Sequence, residues 1–232
     1  MQQEMKVPQA PQAPQEPQAT EVNLDTYSRR WAYEHFITFD MPVISRTMQL
    51  DITKLREHNK THKLSFMLTF GFLVAKAMND IPEFHHRIQD DLLVNFDRII
   101  PSFTALTADN IICFAKGNYS DNFDHDYVYN ADRVARARRG LDQNNLDKSQ
   151  GQIFLTNIPW YSFTSIHHPF SKNNASIPII STGKIYKENG CEKIPFAIQT
   201  HHALVDGYHV GLFMEKIENF LDNPYETIAT EK

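Results

Sequence analysis

Cysteine and basic residues are scarce in this sequence, and each shortage excludes a class of protein. The 232 residues include only Cys113 and Cys191 as cysteines, too few for a disulfide-stapled secreted scaffold. Lysine and arginine number 23 against 28 aspartates and glutamates, so the formal net charge is −5. A chain with this charge and no basic stripe does not fit nucleic-acid binding. We therefore expect a protein of the reducing cytoplasm.

The sequence also lacks a long apolar segment. Its most apolar stretch, residues 64–78, is interrupted by Gly71 and Lys76 and is shorter than the roughly 20 apolar residues that a transmembrane helix needs. The N-terminus carries no apolar signal-peptide core. We interpret residues 64–78 as a buried helix, and we expect no membrane partner.

What the chain does contain is enough apolar residues for one folded domain and a tail. Hydrophobic residues make up 41% of the sequence and aromatic residues 12%, as in globular proteins. Near the N-terminus, prolines recur every third residue with glutamine and alanine between them, at Pro8, Pro11, Pro14 and Pro17. Such a segment buries too little apolar surface to fold by itself. We predict a disordered, dispensable tail over residues 1–22 and one domain over residues 23–232.

Residues 195–214 predict a strand followed by a helix. Apolar and polar residues alternate from Phe196 to His202, which is the period of a strand. Asp206 and Gly207 then break the pattern, as a turn does. Beyond them, apolar residues recur at helical spacing, at Val210, Phe213, Met214, Ile217, Phe220 and Leu221. Two histidines therefore precede a carboxylate where a strand passes into a helix.

His202 is the candidate general base of this stretch. It shares a strand face with Phe196 and Ile198, so its ring should be partly desolvated, which favours the neutral form of histidine. His201 points to the opposite face. Two alternatives stay open: a core histidine that bonds a backbone carbonyl, and a metal ligand. Adjacent strand histidines diverge, however, so we expect no metal site.

The run from His201 to Gly207 resembles a known family signature. Its sequence, His-His-Ala-Leu-Val-Asp-Gly, is similar to the His-His-x-x-x-Asp-Gly motif of the chloramphenicol acetyltransferase family, and the similarity extends through residues 208–211. In that family the second histidine deprotonates a hydroxyl, which then attacks the thioester of acetyl-CoA. The resemblance therefore implies that His202 is the catalytic base and that Asp206 is a structural ion-pair partner.

The resemblance also implies that an arginine near the N-terminus pairs with that aspartate. Residues 34–36, Glu-His-Phe, are similar to the end of the family's Arg-Arg-Glu-His-Phe stretch, but residues 31–33 separate them here from Arg29 and Arg30. Either arginine remains a candidate. A helix with both arginines in solvent is the alternative.

A second stretch, residues 153–168, resembles the family strand that carries Pro-Trp. Thr156 stands where the family has a serine whose hydroxyl donates to the tetrahedral oxyanion, and loss of such a donor costs on the order of 3 kcal/mol. Without the resemblance, Thr156 would be read as an ordinary strand threonine. Ile166 and His168 stand in the acceptor pocket, which family members line with apolar side chains, and His167 replaces an asparagine that helps hold the signature aspartate. We expect these histidines to make chloramphenicol a poorer acceptor than a polar alcohol.

The remaining site residues follow from the resemblance alone. Ser181 takes a hydroxyl position beside the acceptor, and Phe39 is placed on the acceptor side as well. Lys184 takes the position of a lysine near coenzyme A, where a point charge suits the 3′-phosphate. Tyr186 and Trp160 are also assigned to coenzyme A, although Tyr186 lies one residue beyond the adenine-stacking aromatic of the family.

The resemblance implies an α/β fold with a mixed, largely antiparallel sheet and helices packed against one face. It further implies a homotrimer with active sites at the subunit junctions. The implied activity is O-acetyl transfer from acetyl-CoA to a hydroxyl of a small molecule, chloramphenicol or a related alcohol, and hence antibiotic resistance. Two other functions stay open: a dihydrolipoyl acyltransferase, which shares the fold, and a non-catalytic paralogue that binds an acyl-CoA or another ligand.

Overall fold

A computed structural model describes residues 14–141 and 149–228. The helices are α1 (Arg30–Phe36), α2 (Thr53–His62), α3 (Phe66–Asn79), α4 (Phe123–Arg138), α5 (Gly207–Asp222) and α6 (Pro224–Thr227), with a 3-10 turn at Pro82–His85. The strands are β1 (Ala19–Glu21), β2 (Val43–Asp51), β3 (His86–Gln89), β4 (Leu92–Phe96), β5 (Ile100–Leu106), β6 (Ile112–Lys116), β7 (Gln152–Asn157), β8 (Ile179–Thr182), β9 (Tyr186–Glu188) and β10 (Cys191–His201). Among the described residues, no helix has the length and apolar character needed to cross a membrane.

The strands form two sheets. The larger, seven-stranded sheet has the order β2-β10-β8-β7-β5-β6, with β9 paired to β10. Its pairings are antiparallel except for β5–β7 and β7–β8, which are parallel. The smaller sheet has the order β1-β4-β3 and is antiparallel. The predicted α/β fold with a mixed, largely antiparallel sheet is confirmed.

Helices pack against one face of the larger sheet. Phe196 on β10 stacks on Phe213 of α5, with ring centroids 5.9 Å apart. Helix α3 approaches so closely that a Cβ atom at Gly71 would lie 2.6 Å from the ring of Phe103. Because side chains alternate along a strand, Thr156 and its row neighbours project to the other face. The site described below lies on that face.

Local sequence patterns correctly predicted several of these elements. The apolar stretch from residue 64, interpreted above as a buried helix, corresponds to α3. Asp90 and Asp91, between β3 and β4, both have positive φ values of 51° and 64°, as a two-residue hairpin turn requires. Asp206 caps α5, since its Oδ1 accepts from the backbone N–H of Tyr208 at 2.9 Å.

The N-terminal segment differs from the prediction of a disordered tail over residues 1–22. Strand β1 pairs with β4, and Pro17 is buried so close to Gly151 that a Cβ atom there would lie 2.8 Å from it. Glu16 contacts the ammonium group of Lys116. Without β1, β4 would be an edge strand, so the pairing satisfies backbone groups of β4 and offsets the low apolar content of the segment. The domain therefore begins before the predicted boundary; residues 1–13 lie outside the described residues.

A buried arginine attaches the smaller sheet to β7. The side chain of Arg87 on β3 is fully buried, and its guanidinium donates to the carbonyl oxygens of Phe84, His86, Gln150 and Gln152 at 2.7–2.9 Å. Burial lowers the pKa of Arg87 to about 9. These carbonyl oxygens accept from the guanidinium without a carboxylate partner. Since two of them belong to Gln150 and Gln152, Arg87 holds the start of β7, the strand that carries Thr156.

Candidate active site

A cavity of about 400 Å³ opens on the sheet face opposite the helices, which is the size of a small-molecule site. Thr156 on β7 contributes to it, and its Oγ1 lies 3.1 Å from Oγ1 of Thr104 on β5. The walls are mostly apolar, with a few polar groups that converge on the opening. The lining residues include Thr104, Ile112, Phe114, Phe154, Thr156 and His168.

The loop after β7 brings one of two neighbouring histidines into this cavity. His168 is half-buried, and its Nε2 lies 2.6 Å from Oγ of Ser181, which is paired with Thr156 in the strand register. Burial, and secondarily the charge of His167, lowers the pKa of His168. His167 itself is exposed and makes no hydrogen bond with the described residues. Within one copy of the chain, His167 therefore makes no hydrogen bond that supports Asp206.

Two other predicted acceptor residues lie outside the lining of this cavity. The carbonyl oxygen of Ile166 accepts from Oγ of Ser45 at 2.8 Å, which holds the loop against β2. Phe39 lines a separate cavity of about 290 Å³ together with Pro42 and His201. Phe39 is thus near the histidine pair and not near Thr156 in the same chain.

His202 lies immediately after the end of β10. Its backbone N–H donates to the carbonyl of Pro42 at 2.7 Å, and its ring stacks on Phe36 with centroids 3.9 Å apart. Its Nδ1 atom is buried with no partner in the described part of the chain, whereas Nε2 is not among the buried unpaired atoms. The ring therefore has Phe36 as an apolar neighbour and one open nitrogen.

His201 is the more buried of the two histidines. It is 5% exposed, and its Nδ1 accepts from the backbone N–H of Ala203 at 3.2 Å. Burial, and secondarily the charge of His202, lowers the pKa of His201 to about 4. His201 is thus the more buried ring, whereas the alternation along the strand had predicted a desolvated ring for His202. The reason is that β10 ends at His201, so strand alternation does not extend to His202.

Asp206 is the centre of a chain of ionisable groups. Its Oδ2 accepts from Nη1 of Arg29 at 2.7 Å, and its Oδ1 lies 2.9 Å from Nδ1 of His209. Nε2 of His209 lies 3.4 Å from Oε1 of Glu83. Burial raises the pKa of Asp206, but the hydrogen bond from Arg29 and the charges of His209 and Arg29 outweigh it, so the pKa is lowered. Arg29, and not Arg30, is therefore the partner of the signature aspartate.

The ion pair also reaches His202 through α1. Arg29 immediately precedes α1, and Phe36 is the last residue of that helix. The contact between Asp206 and Arg29 thus anchors one end of α1, while the other end packs on the ring of His202. Arg30 instead pairs with Asp25 and Glu34 in solvent. The charged groups hold the candidate base without touching its ring.

The candidate coenzyme A residues are only partly brought together. Lys184 is exposed, and its backbone N–H donates to the carbonyl of Tyr161 at 2.9 Å. Trp160 and Tyr161 are 63% and 57% exposed, and exposed aromatic faces beside a lysine suit an adenine nucleotide with its phosphates. The hydroxyl of Tyr186 donates to the side chain of Gln49 on β2, so Tyr186 is directed along the sheet edge.

The strand registers set the separation of Thr156 and His202. Thr156 lies beside Ser181, and Ser181 lies beside Ala197 on β10. Two strand spacings and the run from Ala197 to His202 then separate the two Cα atoms by roughly 19 Å, at about 4.8 Å per strand and 3.3 Å per residue. Groups that act on one reacting centre must lie within a few ångströms of it. One copy of the chain therefore does not bring His202 and Thr156 to the same centre.

Several residues of the site were not identified from the sequence. The spacing of Asp206 and His209 matches a helix capping box, in which the third helical residue bonds back to the cap, and this signal could have identified His209. Thr104 and Glu83 carry no local signal, because their partners are distant in the sequence. They become visible only when the fold is known.

Comparison with known proteins assigns the chain to a family. Residues 18–218 match the family described as Chloramphenicol acetyltransferase. The chain belongs to the chloramphenicol acetyltransferase family. A chloramphenicol acetyltransferase of Proteus mirabilis is 30% identical over 210 residues, which cover 87% of this chain and 94% of that protein. A solved chloramphenicol acetyltransferase structure has a TM-score of 0.79 and 26% identity, and covers 88% of this chain and 100% of that one.

Membership in the chloramphenicol acetyltransferase family makes the chain an acyltransferase. The cubic core of a pyruvate dehydrogenase multienzyme complex also matches, with a TM-score of 0.64, 13% identity, and coverage of 86% of this chain and 89% of that one. At that identity the likeness shows the fold alone. The dihydrolipoyl acyltransferase alternative therefore gains no support beyond the shared fold.

Proposed function

We propose that this chain transfers the acetyl group of acetyl-CoA to a hydroxyl of a small-molecule acceptor, chloramphenicol or a related alcohol. Family membership supports acetyl transfer, and the cavity beside Thr156 has the size of a small organic molecule. Acetylation of chloramphenicol would make the protein an antibiotic-resistance enzyme. The two free cysteines fit a reducing compartment such as the cytoplasm.

In the proposed reaction, His202 removes the proton of the acceptor hydroxyl through its open Nε2 atom. The resulting alkoxide attacks the thioester carbonyl, and the hydroxyl of Thr156 donates to the oxyanion that develops there. When the tetrahedral intermediate collapses, the carbon–sulfur bond breaks and the proton from His202 passes to the thiolate of coenzyme A. Lys184 and Trp160 would bind the nucleotide end of coenzyme A. No acyl-enzyme forms.

The observation that carries the proposed arrangement of the site is a distance: within one copy, the Cα atoms of His202 and Thr156 lie roughly 19 Å apart. We infer that a second copy of the chain supplies His202 to the cavity, as in a homotrimer with one site at each junction. Phe39, which contacts the Phe36 ring that stacks on His202, would then face the acceptor from the neighbouring copy. This arrangement accounts for acceptor residues that lie in two places within one chain.

Mixed oligomers of two inactive variants test both the reaction and the shared site. His202→Ala and Thr156→Ala chains would be unfolded together, refolded, and assayed for release of the coenzyme A thiol with chloramphenicol and an alcohol panel. In a closed three-fold ring every mixed trimer has one junction with both groups intact, so random mixing restores about 25% of wild-type activity. The same variants refolded separately and then combined are the control.

Three results would distinguish the possibilities. Recovery in the mixed sample above the control supports a site shared between copies. No recovery, with an active wild type, means that each chain holds a complete site and overturns the shared arrangement. A wild type that releases no thiol with any alcohol, chloramphenicol included, overturns the proposed function and favours a non-catalytic ligand-binding protein.

A further inference from the structure

The loop that carries His168 is fixed to the sheet by buried side chains. The backbone N–H of His168 donates to Oε1 of Gln199 at 2.9 Å, and Nε2 of Gln199 donates back to the carbonyl of His168 at 3.2 Å. Gln199 is 4% exposed. Together with the bond from Ser45 to Ile166, these contacts leave the main chain of the loop little freedom at the cavity wall.

The ring of His168 is held just as firmly. Its Nε2 lies 2.6 Å from Oγ of Ser181, a residue that is 1% exposed. Ser181 has no other side-chain partner among the described residues, so its O–H must donate to Nε2 or remain unsatisfied in a buried position. Burial lowers the pKa of His168, and the neutral ring that accepts at Nε2 carries its proton on Nδ1.

The free donor of this pair belongs to the acceptor cavity. Nδ1 of His168 has no partner in the described parts of the chain and is not a buried atom, and His168 lines the same cavity as Thr156. Since Ser181 and Thr156 are neighbours across adjacent strands, the residue that holds the His168 ring lies about one strand spacing from the residue that would serve the oxyanion. A single small molecule spans that distance.

We propose that the His168–Ser181 pair is a specificity determinant that selects acceptor alcohols with a second oxygen close to the reacting hydroxyl. The inference rests on the proposed acetyl transfer and names its substrate class: diols, hydroxy acids and hydroxy amides, whose second oxygen accepts from Nδ1–H of His168. A purely apolar alcohol leaves this donor unpaired in the cavity. Selection by one such hydrogen bond amounts to roughly 10- to 100-fold in kcat/KM.

Matched acceptors and matched variants test the pair. Butane-1,3-diol and butan-1-ol differ only in the second oxygen, so the ratio of their kcat/KM values isolates its contribution. His168→Leu should bring the ratio down to about 1, through loss with the diol and not with butan-1-ol. His168→Asn has a smaller side chain but keeps an N–H donor near the position of Nδ1, so it should retain most of the ratio. His167→Leu, an exposed neighbour, is the control and should leave the ratio unchanged.

The outcomes separate this inference from the function on which it rests. A ratio near 1 in the wild type, or an equal ratio in His168→Leu and His168→Asn, overturns the role of the pair while acetyl transfer stands. Comparison of these two variants guards against a general loss of folding, because both remove the bond from Ser181 alike. No transfer to chloramphenicol or to either butanol by the wild type overturns the proposed function itself.

Discussion

The two halves of the candidate site are held together by different kinds of interaction. Around His202, ionised groups do the positioning: Asp206 bonds Arg29 at 2.7 Å and lies 2.9 Å from a ring nitrogen of His209. Around Thr156, neutral groups do the positioning: the hydroxyl oxygens of Thr156 and Thr104 lie 3.1 Å apart, and Nε2 of His168 lies 2.6 Å from Oγ of Ser181. The base is thus positioned by charges that do not touch it, and the cavity by neutral hydrogen bonds.

This difference follows from what each half must do. A neutral organic acceptor is recognised best by neutral donors in an apolar cavity, because an unpaired buried charge there would be costly. The base instead must stay in one position at the end of a strand, and an ion pair between α1 and the start of α5 fixes both flanking elements. Removal of a charge should therefore loosen the His202 half and leave the cavity intact.

The largest expected effect comes from the base itself. His202→Ala should lower kcat by roughly 100- to 10,000-fold, the range for a positioned acid–base group. The melting temperature should fall only slightly, because the change removes the stacking on Phe36 but no hydrogen bond to a described side chain. His201→Ala should do the reverse: it removes a buried ring that accepts from Ala203, so stability falls while more activity remains. Steady-state kinetics and thermal melts check both. Equal losses of activity in two folded variants would contradict the assignment.

Loss of the central carboxylate should have an intermediate effect. Asp206→Asn breaks the charged pair with Arg29 and the contact with His209, so the free energy of unfolding should fall by about 2–3 kcal/mol, with the loss of kcat following from it. Asp25→Asn is the matched control: it removes an ion pair from exposed Arg30 and should cost less than about 1 kcal/mol. Denaturant unfolding of both variants gives the comparison.

The same pair predicts how acid acts on the protein. The pKa of Asp206 is lowered in the folded state, so its contribution to stability is fully present above the unfolded pKa of about 3.9 and is lost as the pH falls through the folded pKa. The stability difference between wild type and Asp206→Asn should be constant near neutral pH and shrink below about pH 4. A difference that stays constant into acid would mean that the carboxylate is not stabilised as an ion.

Local patterns sufficed for the half of the site that lies on consecutive residues. The alternation from Phe196, the turn at Asp206 and the helical spacing beyond it are all encoded within a few residues of one another, and β10 and α5 form where they indicate. The resemblance then supplied roles for His202 and Thr156.

Choices between neighbouring residues could not be made from the sequence. Arg29 and Arg30 are adjacent residues of the same type, so the sequence does not distinguish them. Only the placement of α1 shows that Arg29 is the partner of Asp206. His167 and His168 lie in a loop without any period, where long-range bonds from Ser45 and Gln199 set which ring turns inward. Such contacts join residues far apart in the chain, so no local pattern reports them.

The smallest expected effect concerns the N-terminal segment, whose described residues reach the cavity half through Lys116. A chain that begins at Pro14 should behave as the full chain does, because it keeps Pro17 against Gly151 and the contact between Glu16 and Lys116. A chain that begins at Asn23 also loses β1, and we expect a loss of about 1–2 kcal/mol, equivalent to a melting temperature lower by roughly 2–8 °C. Since Lys116 lines the cavity, KM for the acceptor should change while kcat, which depends on His202, stays near the full-chain value. Identical melting temperatures and KM values for the two shortened chains would instead restore the dispensable tail that the proline-rich sequence predicts.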